Sequence, residues 1–169
     1  AADTAKTDDF SADVNTTSLL SPGTAQAGEI EIIDDVDWHR LEVETGRTYT
    51  IEMEGFSTNK GSLPDTKILG VQFGSGISSS LDTSIADDNS GHGYNSELSF
   101  SITDPSVDHV FIAVKGADFG TCSCGACIGT YEIKATDTTV LPDDFSDDFS
   151  TVGTLTLDSS VRGEINYKD

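Results

Sequence analysis

Residues 28–55, GEIEIIDDVDWHRLEVETGRTYTIEMEG, constrain the fold of this chain more than any other stretch. His39, Leu41 and Val43 fall on one side of an alternating run, and Arg40, Glu42 and Glu44 on the other. A few positions later Tyr49, Ile51 and Met53 alternate with Thr48, Thr50, Glu52 and Glu54. Alternation with period two and a polar outer face is the pattern of a half-buried antiparallel strand, because successive side chains leave opposite faces of the pleat. The stretch predicts an entry strand, an acidic turn at 34–37, and two strands joined as a hairpin at Thr45-Gly46. Further apolar or alternating runs follow at 68–73, 98–102, 110–115 and 131–135, separated by loops rich in Gly, Ser, Asp and Pro. No segment sustains helical periodicity. The expected class is therefore all-β, an antiparallel sandwich.

Charge narrows the function. The chain has 30 acidic and 9 basic residues among 169, a formal charge of -21, which leaves no basic face for a nucleic acid. Such a balance suits divalent cations and a salty or calcium-rich exterior, and equally suits plain solvation of an acidic surface. No apolar run is long enough to span a bilayer. Few Lys and abundant Thr, Ser, Gly and Asp favour an exported bacterial protein, extracellular or on the cell surface. The opening AADTAKT carries neither Met nor a secretion signal, and the chain is expected to be a mature or excised piece.

An internal repeat divides the chain. A shift of 135 positions aligns residues 8–34 with residues 143–169 without gaps. Asp8, Asp9, Phe10, Ser11, Asp13, Gly28, Glu29, Ile30 and Asp34 coincide with Asp143, Asp144, Phe145, Ser146, Asp148, Gly163, Glu164, Ile165 and Asp169. The expected organisation is a leader at 1–7, one complete domain at 8–138, and a linker with the truncated start of a second tandem repeat at 139–169.

The order D-D-F-x-x-D, G-E-I, then D-x-D-W-H-x-L-x-V-x-x-G-x-x-Y-x-I-x-x-x-G resembles the bacterial pre-peptidase C-terminal domain family. LPDTKILGV, ADDNSGHGYNSELSF, VFIAVKG and GTYEI resemble its later strands and loops, so the likeness covers nearly all of residues 8–136. The resemblance implies a jelly-roll-like β-sandwich that serves exported proteins as a non-catalytic accessory module, often in tandem. Related collagen-binding domains hold calcium between an N-terminal acidic segment and a D-x-x-D turn. The corresponding positions here are Asp8, Asp9 and Asp13 with Asp34 and Asp37.

Calcium takes six to eight oxygens, several from carboxylates, so this first site requires the two segments to meet in space. The second copy repeats Asp8, Asp9, Asp13 and Asp34 while the residues between them drift, which favours an ion over a solvated linker and turn. A possible second calcium site comprises Asp65, Asp87, Asp88 and Asn95, with Glu97 nearby; a flexible polar loop is the alternative. Cys122, Cys124 and Cys127 form C-x-C-x-x-C, one ligand short of a zinc or iron–sulfur site, and a disulfide in this loop is the leading expectation. His39 is expected to be a buried neutral imidazole and Trp38 a plug at the sandwich end. Phe56, Tyr94 and Phe119, on loops, are candidate ligand contacts. No nucleophile–base–orienter set can be named, so no catalytic residue is assigned. The functional expectation is a calcium-binding repeat whose ion stiffens the joint with neighbouring repeats; the alternative is a module for extracellular polysaccharide or a fibrous protein such as collagen.

Overall fold

In a computed structural model of the chain, residues 6–74, 80–117 and 127–140 are described. The chain divides into two compact units, Ala1–Thr138 and Thr139–Asp169. Among its described residues the first unit contains eight strands: β1 (Leu19–Leu20), β2 (Ala25–Ile30), β3 (Asp37–Glu42), β4 (Thr48–Glu54), β5 (Thr66–Phe73), β6 (Ser96–Ser101), β7 (His109–Gly116) and β8 (Gly129–Asp137). They form two four-stranded sheets, ordered β1-β3-β7-β5 and β2-β8-β4-β6. Every connection between consecutive strands crosses from one sheet to the other, so no sequential pair shares a ladder. Beyond β5, Asp82 and Asp87 bridge back to Val71 and Ile68, supplying a rudiment of a further strand. The result is a jelly-roll sandwich.

This topology corrects the expected hairpin. β3 and β4 lie in opposite sheets: β3 pairs with β1 and β7, and β4 with β6 and β8. Gly46 turns the chain with φ +84, a backbone region open to Gly at no steric cost. Its N–H donates to Ile102 O at 2.7 Å, which ties the arch to the next element and not to a hairpin partner. Alternation reports only which side chains face inward. His39 and Leu41 look inward from one sheet and Tyr49, Ile51 and Met53 from the other, whereas a hairpin would set them side by side. β1 departs from the antiparallel expectation as well, since it runs parallel to β3.

The core fills the space between the sheets with Leu41, Ile51, Met53, Ile68, Ile112, Ile133 and their neighbours, all fully buried. β7 is buried on both faces because it is central in its sheet and its outer side packs under aromatics. Trp38 is one of them. It does not plug the sandwich end; it stands on the outer face with its ring 6.1 Å from Phe111.

The two-faced assignment of β4 has a direct consequence. Ile51→Ala should cost about 2–5 kcal/mol in urea denaturation. Glu52→Ala on the outer face, opposite Glu97 and Lys134, should shift stability by no more than about 0.5 kcal/mol.

Candidate metal centre

The segment preceding β1 laces the two sheets together along one side. Asp9 lies along the edge of β2: its N–H donates to Glu31 Oε1 at 3.1 Å, and its Oδ2 accepts the Glu29 N–H at 3.1 Å. Lys6 pairs with Glu29. Phe10 places its ring edge-on against His39, centroids 5.2 Å apart. Ser18 reaches His39 Nδ1 at 2.5 Å, and its carbonyl accepts the Arg40 N–H at 3.1 Å. Leu19 and Leu20 then pair with β3. This strap brings Asp8 and Asp9 to the turn between β2 and β3.

There the carboxylates converge in two overlapping groups. Asp8, Asp9 and Glu31 form one, and Asp8, Asp35 and Asp37 the other; within each, one oxygen per residue lies within 4.8 Å of the others. The turn decides which members of the D-D-V-D run take part. Asp34 adopts φ +67, and its exposed carboxylate pairs with Lys115 at 3.3 Å, outside both groups. Asp35 accepts the Val36 N–H at 2.9 Å through Oδ1 and the Glu31 N–H at 3.2 Å through Oδ2, which fixes its carboxylate inside the turn. Asp13 also lies outside both groups, closing its own local turn with the Asn15 N–H at 2.8 Å. Of the expected first set, Asp8, Asp9 and Asp37 meet; Asp13 and Asp34 do not join them, and Glu31 and Asp35 do.

Asp37 is the innermost member, with no accessible surface. It ends a directed chain of hydrogen bonds through the core. Tyr131 O–H donates to Asp37 Oδ2 at 2.6 Å, so the Tyr131 oxygen accepts from His39 Nε2 at 2.8 Å, and His39 Nδ1 accepts from the Ser18 hydroxyl. His39 is thus the buried neutral imidazole the alternation predicts, and burial pushes its pKa down to about 3. Gly28 makes room for this chain: it sits opposite Tyr131 in the ladder, and a Cβ there would collide with the phenol ring. Asp37 Oδ1 has no hydrogen-bond partner, and neither has the buried Glu31 Oε2. Each group therefore contains one sequestered oxygen without a donor, a costly arrangement in a low-dielectric site.

Electrostatics reports the same cost. Asp37 is raised to about 8, first by burial and then by Asp9, Asp35 and Glu31, against the lowering effect of the Tyr131 hydrogen bond. Glu31 is raised to about 7 by burial and by Asp35 and Asp9. Asp9 is raised, mainly by burial. Carboxylates this crowded either hold protons or share a cation.

The second expected cluster is placed differently. Asp87 spends its carboxylate on the Ser90 hydroxyl and N–H and on the Glu97 N–H, at 2.5, 3.0 and 2.9 Å. Asn95, buried, braces the turn after β4, accepting the Gly55 N–H at 2.9 Å and donating to Thr58 at 3.1 Å. Asp88 pairs with Lys67 at 3.5 Å. Asp65 is buried with Oδ1 unpartnered, and burial and Asp88 raise its pKa. Among the described residues these four form no group of three convergent carboxylates. Cys127 is buried against Gly116, whereas Cys122, Cys124 and Phe119 lie outside the described residues, as does the second repeat from Asp143 onward. Phe56 and Tyr94 are 68% and 63% exposed.

Two outcomes test this geometry. Tyr131→Phe strands Asp37 Oδ2 and the His39 Nε2–H in the core, and should cost about 1–3 kcal/mol in chemical denaturation. The pH dependence has a definite sign. Unfolded carboxyls lose their protons near pH 4, whereas folded Asp37 and Glu31 keep theirs to about 8 and about 7, so between these limits the folded state binds more protons. In chelator, the melting temperature should therefore fall as pH rises from about 5 to about 9.

No family model matches the chain, and no curated protein matches it. Solved structures similar to it include two β-rich domains. One is the pre-peptidase C-terminal domain of collagenase from Bacillus anthracis, 14% identical, covering 70% of this chain and 93% of that one, with a TM-score of 0.47. The other is PliG of Aeromonas hydrophila, a periplasmic inhibitor of g-type lysozyme, 14% identical, covering 71% of this chain and 97% of that one, with a TM-score of 0.44. The first bears the name of the family that the D-x-D-W segment resembles.

Proposed function

We propose that this chain is a non-catalytic, calcium-dependent accessory module of an exported protein, in which the cation pins the N-terminal strap to the sandwich. The observation that carries this reading is Asp37: a carboxylate with no accessible surface, one oxygen held by Tyr131 and the other unpartnered within the Asp8–Asp35–Asp37 group. Two carboxylate groups sharing Asp8 offer oxygen donors alone, which is the preference of calcium and not of zinc or copper. Replacing shared protons with a divalent cation removes the repulsion that raises Asp37 and Glu31. Because both groups include Asp8, that carboxylate would help hold a cation in either.

The mechanical effect follows from where the strap is fixed. Asp8 and Asp9 hang on the metal, Phe10 on the His39 ring, and Ser18 on His39 Nδ1. With the cation bound, the segment entering the domain has a set direction, so a preceding domain is oriented instead of tethered loosely. Without it, like charges weaken the strap's first anchor at Asp8 and Asp9 and leave more of the hold to Phe10, Ser18 and β1.

Calcium at about a hundred times its dissociation constant should stabilise the fold by about 2.7 kcal/mol, a rise of roughly 5–10 °C in melting temperature. Asp37→Asn should abolish most of that rise. An identical midpoint in calcium and in chelator, with no heat of binding in a calorimetric titration, would remove the mechanism.

A further inference from the structure

Four asparagines lie among the described residues, and the fold uses three of them. Asn59 and Asn89 take left-handed backbone at φ +59 and +86, where a turn needs a residue that tolerates positive φ. Asn95 is buried and braces the turn after β4 through both ends of its amide. Asn15 does neither. Its backbone stays out of the left-handed region, it is exposed, and its side-chain amide makes no hydrogen bond among the described residues. It is also the one asparagine of the five in the chain with a hydroxyl residue two positions on, in Asn15-Thr16-Thr17. Asn-x-Thr is the acceptor pattern for an N-linked glycan. In a chain rich in Ser and Thr that spacing alone is a weak signal. The folded geometry supplies what the spacing lacks.

We infer that Asn15 is an N-glycosylation site, its side-chain nitrogen the acceptor of a glycan delivered as a polyprenyl diphosphate. The inference rests on the reading of the chain as part of an exported protein and is independent of calcium. Asp13, Val14 and Thr17 are exposed together with Asn15, so the acceptor and Thr17 are both within reach of a transferase. The turn that carries them is self-contained. Asp13 Oδ1 accepts the Asn15 N–H at 2.8 Å, Asp13 O accepts the Thr16 N–H at 3.2 Å, and Thr16 Oγ1 accepts the Ser18 N–H at 3.2 Å. Among the described residues no hydrogen bond joins residues 13–17 to either sheet, so an enzyme can draw the turn out without opening a ladder. The strap's anchors flank it, Phe10 before and Ser18 after. Val14, beside the acceptor, is 47% exposed, an apolar surface that the first sugar can cover. The aligned second copy keeps Asp148 but has Ser150 and Val152 where this one has Asn15 and Thr17, so the repeated segment does not carry the acceptor as part of its fold. The transfer balances. Asn15 Nδ2 bonds to the anomeric carbon of the glycan while the bond from that carbon to the diphosphate oxygen breaks. The polyprenyl diphosphate leaves with the electron pair, and the Nδ2 proton passes to a carboxylate of the transferase. Thr17 supplies the hydroxyl by which the transferase recognises the acceptor.

The experiment is mass spectrometry of the protein released by its own organism. Trypsin cuts after Lys6 and Arg40 and isolates residues 7–40, in which Asn15 is the one asparagine. Electron-transfer fragmentation is expected to place a glycan mass on Asn15. In the same host Asn15→Gln and Thr17→Ala should lose that mass completely and Thr17→Ser should keep it. The first two variants should melt with the parent stripped of its glycan, because neither side chain has a hydrogen-bond partner among the described residues. An unmodified 7–40 peptide from the exported protein overturns the inference and leaves the export reading standing; unmodified protein found only inside the cell overturns both. A glycan carried on a Ser or Thr hydroxyl of this peptide in place of Asn15 also overturns it, and so does one on Asn15 that survives Thr17→Ala.

Discussion

A single buried oxygen organises this molecule. Asp37 opens β3 at a point where the opposite sheet presents Tyr131, the strap presents Asp8, and the preceding turn presents Asp35. Its carboxylate has no accessible surface, so neither water nor a flexible lysine relieves it. One oxygen is stabilised by the phenol, and the other requires a proton or a metal ion. The strap that carries Asp8 and Asp9 is held on this side by the Asp9 bonds to Glu29 and Glu31, by the Phe10 ring and by Ser18.

The buried Ser18–His39–Tyr131–Asp37 chain links parts that are far apart in sequence. Ser18 belongs to the strap, His39 and Asp37 to one sheet, and Tyr131 to the other. All four are buried, which denies a substrate access and makes the chain a brace. Because each donor has one acceptor, the His39 tautomer and the choice of Asp37 oxygen follow from the connectivity. His39 also carries the Phe10 ring, so the same imidazole anchors the strap by packing and by hydrogen bonding. Strand order supplies the rest of the design. Since every connection crosses between sheets, all the loops collect at the two ends, and the strap leaves Asp8 and Asp9 against the β2 edge that would otherwise be open to pairing.

Much of this was legible in the chain before folding was considered. Alternation put His39, Leu41, Tyr49, Ile51 and Met53 inside, and they are inside. The D-D-F segment and the D-D-V-D turn marked the two acidic stretches that meet. The selection within them was not legible, because it depends on backbone conformation: a left-handed Asp34 turns its carboxylate outward, and Asp35 is held inward by the Val36 and Glu31 amides. Glu31 carried a faint signal, since it alternates with Ile30 and lies four residues before Asp35, but only the strap shows that Asp9 binds it. Asp87 and Asn95 illustrate the converse. Their side chains suit a cation in composition, yet local N–H and hydroxyl donors already occupy them.

What the amino-acid order alone determined is which side chains turn inward, that the class is all-β, and that an excess of carboxylates collects around residues 8–9 and 34–37. Alternation and charge are local properties, and they survive any arrangement of the strands. Only the tertiary structure decided that β3 and β4 face each other across the core instead of lying side by side, and that Glu31 and Asp35 stand where Asp13 and Asp34 were expected. Those outcomes depend on which strands share a ladder and which way a turn residue points, and both are settled by contacts between residues up to about a hundred positions apart, such as Asp37 and Tyr131.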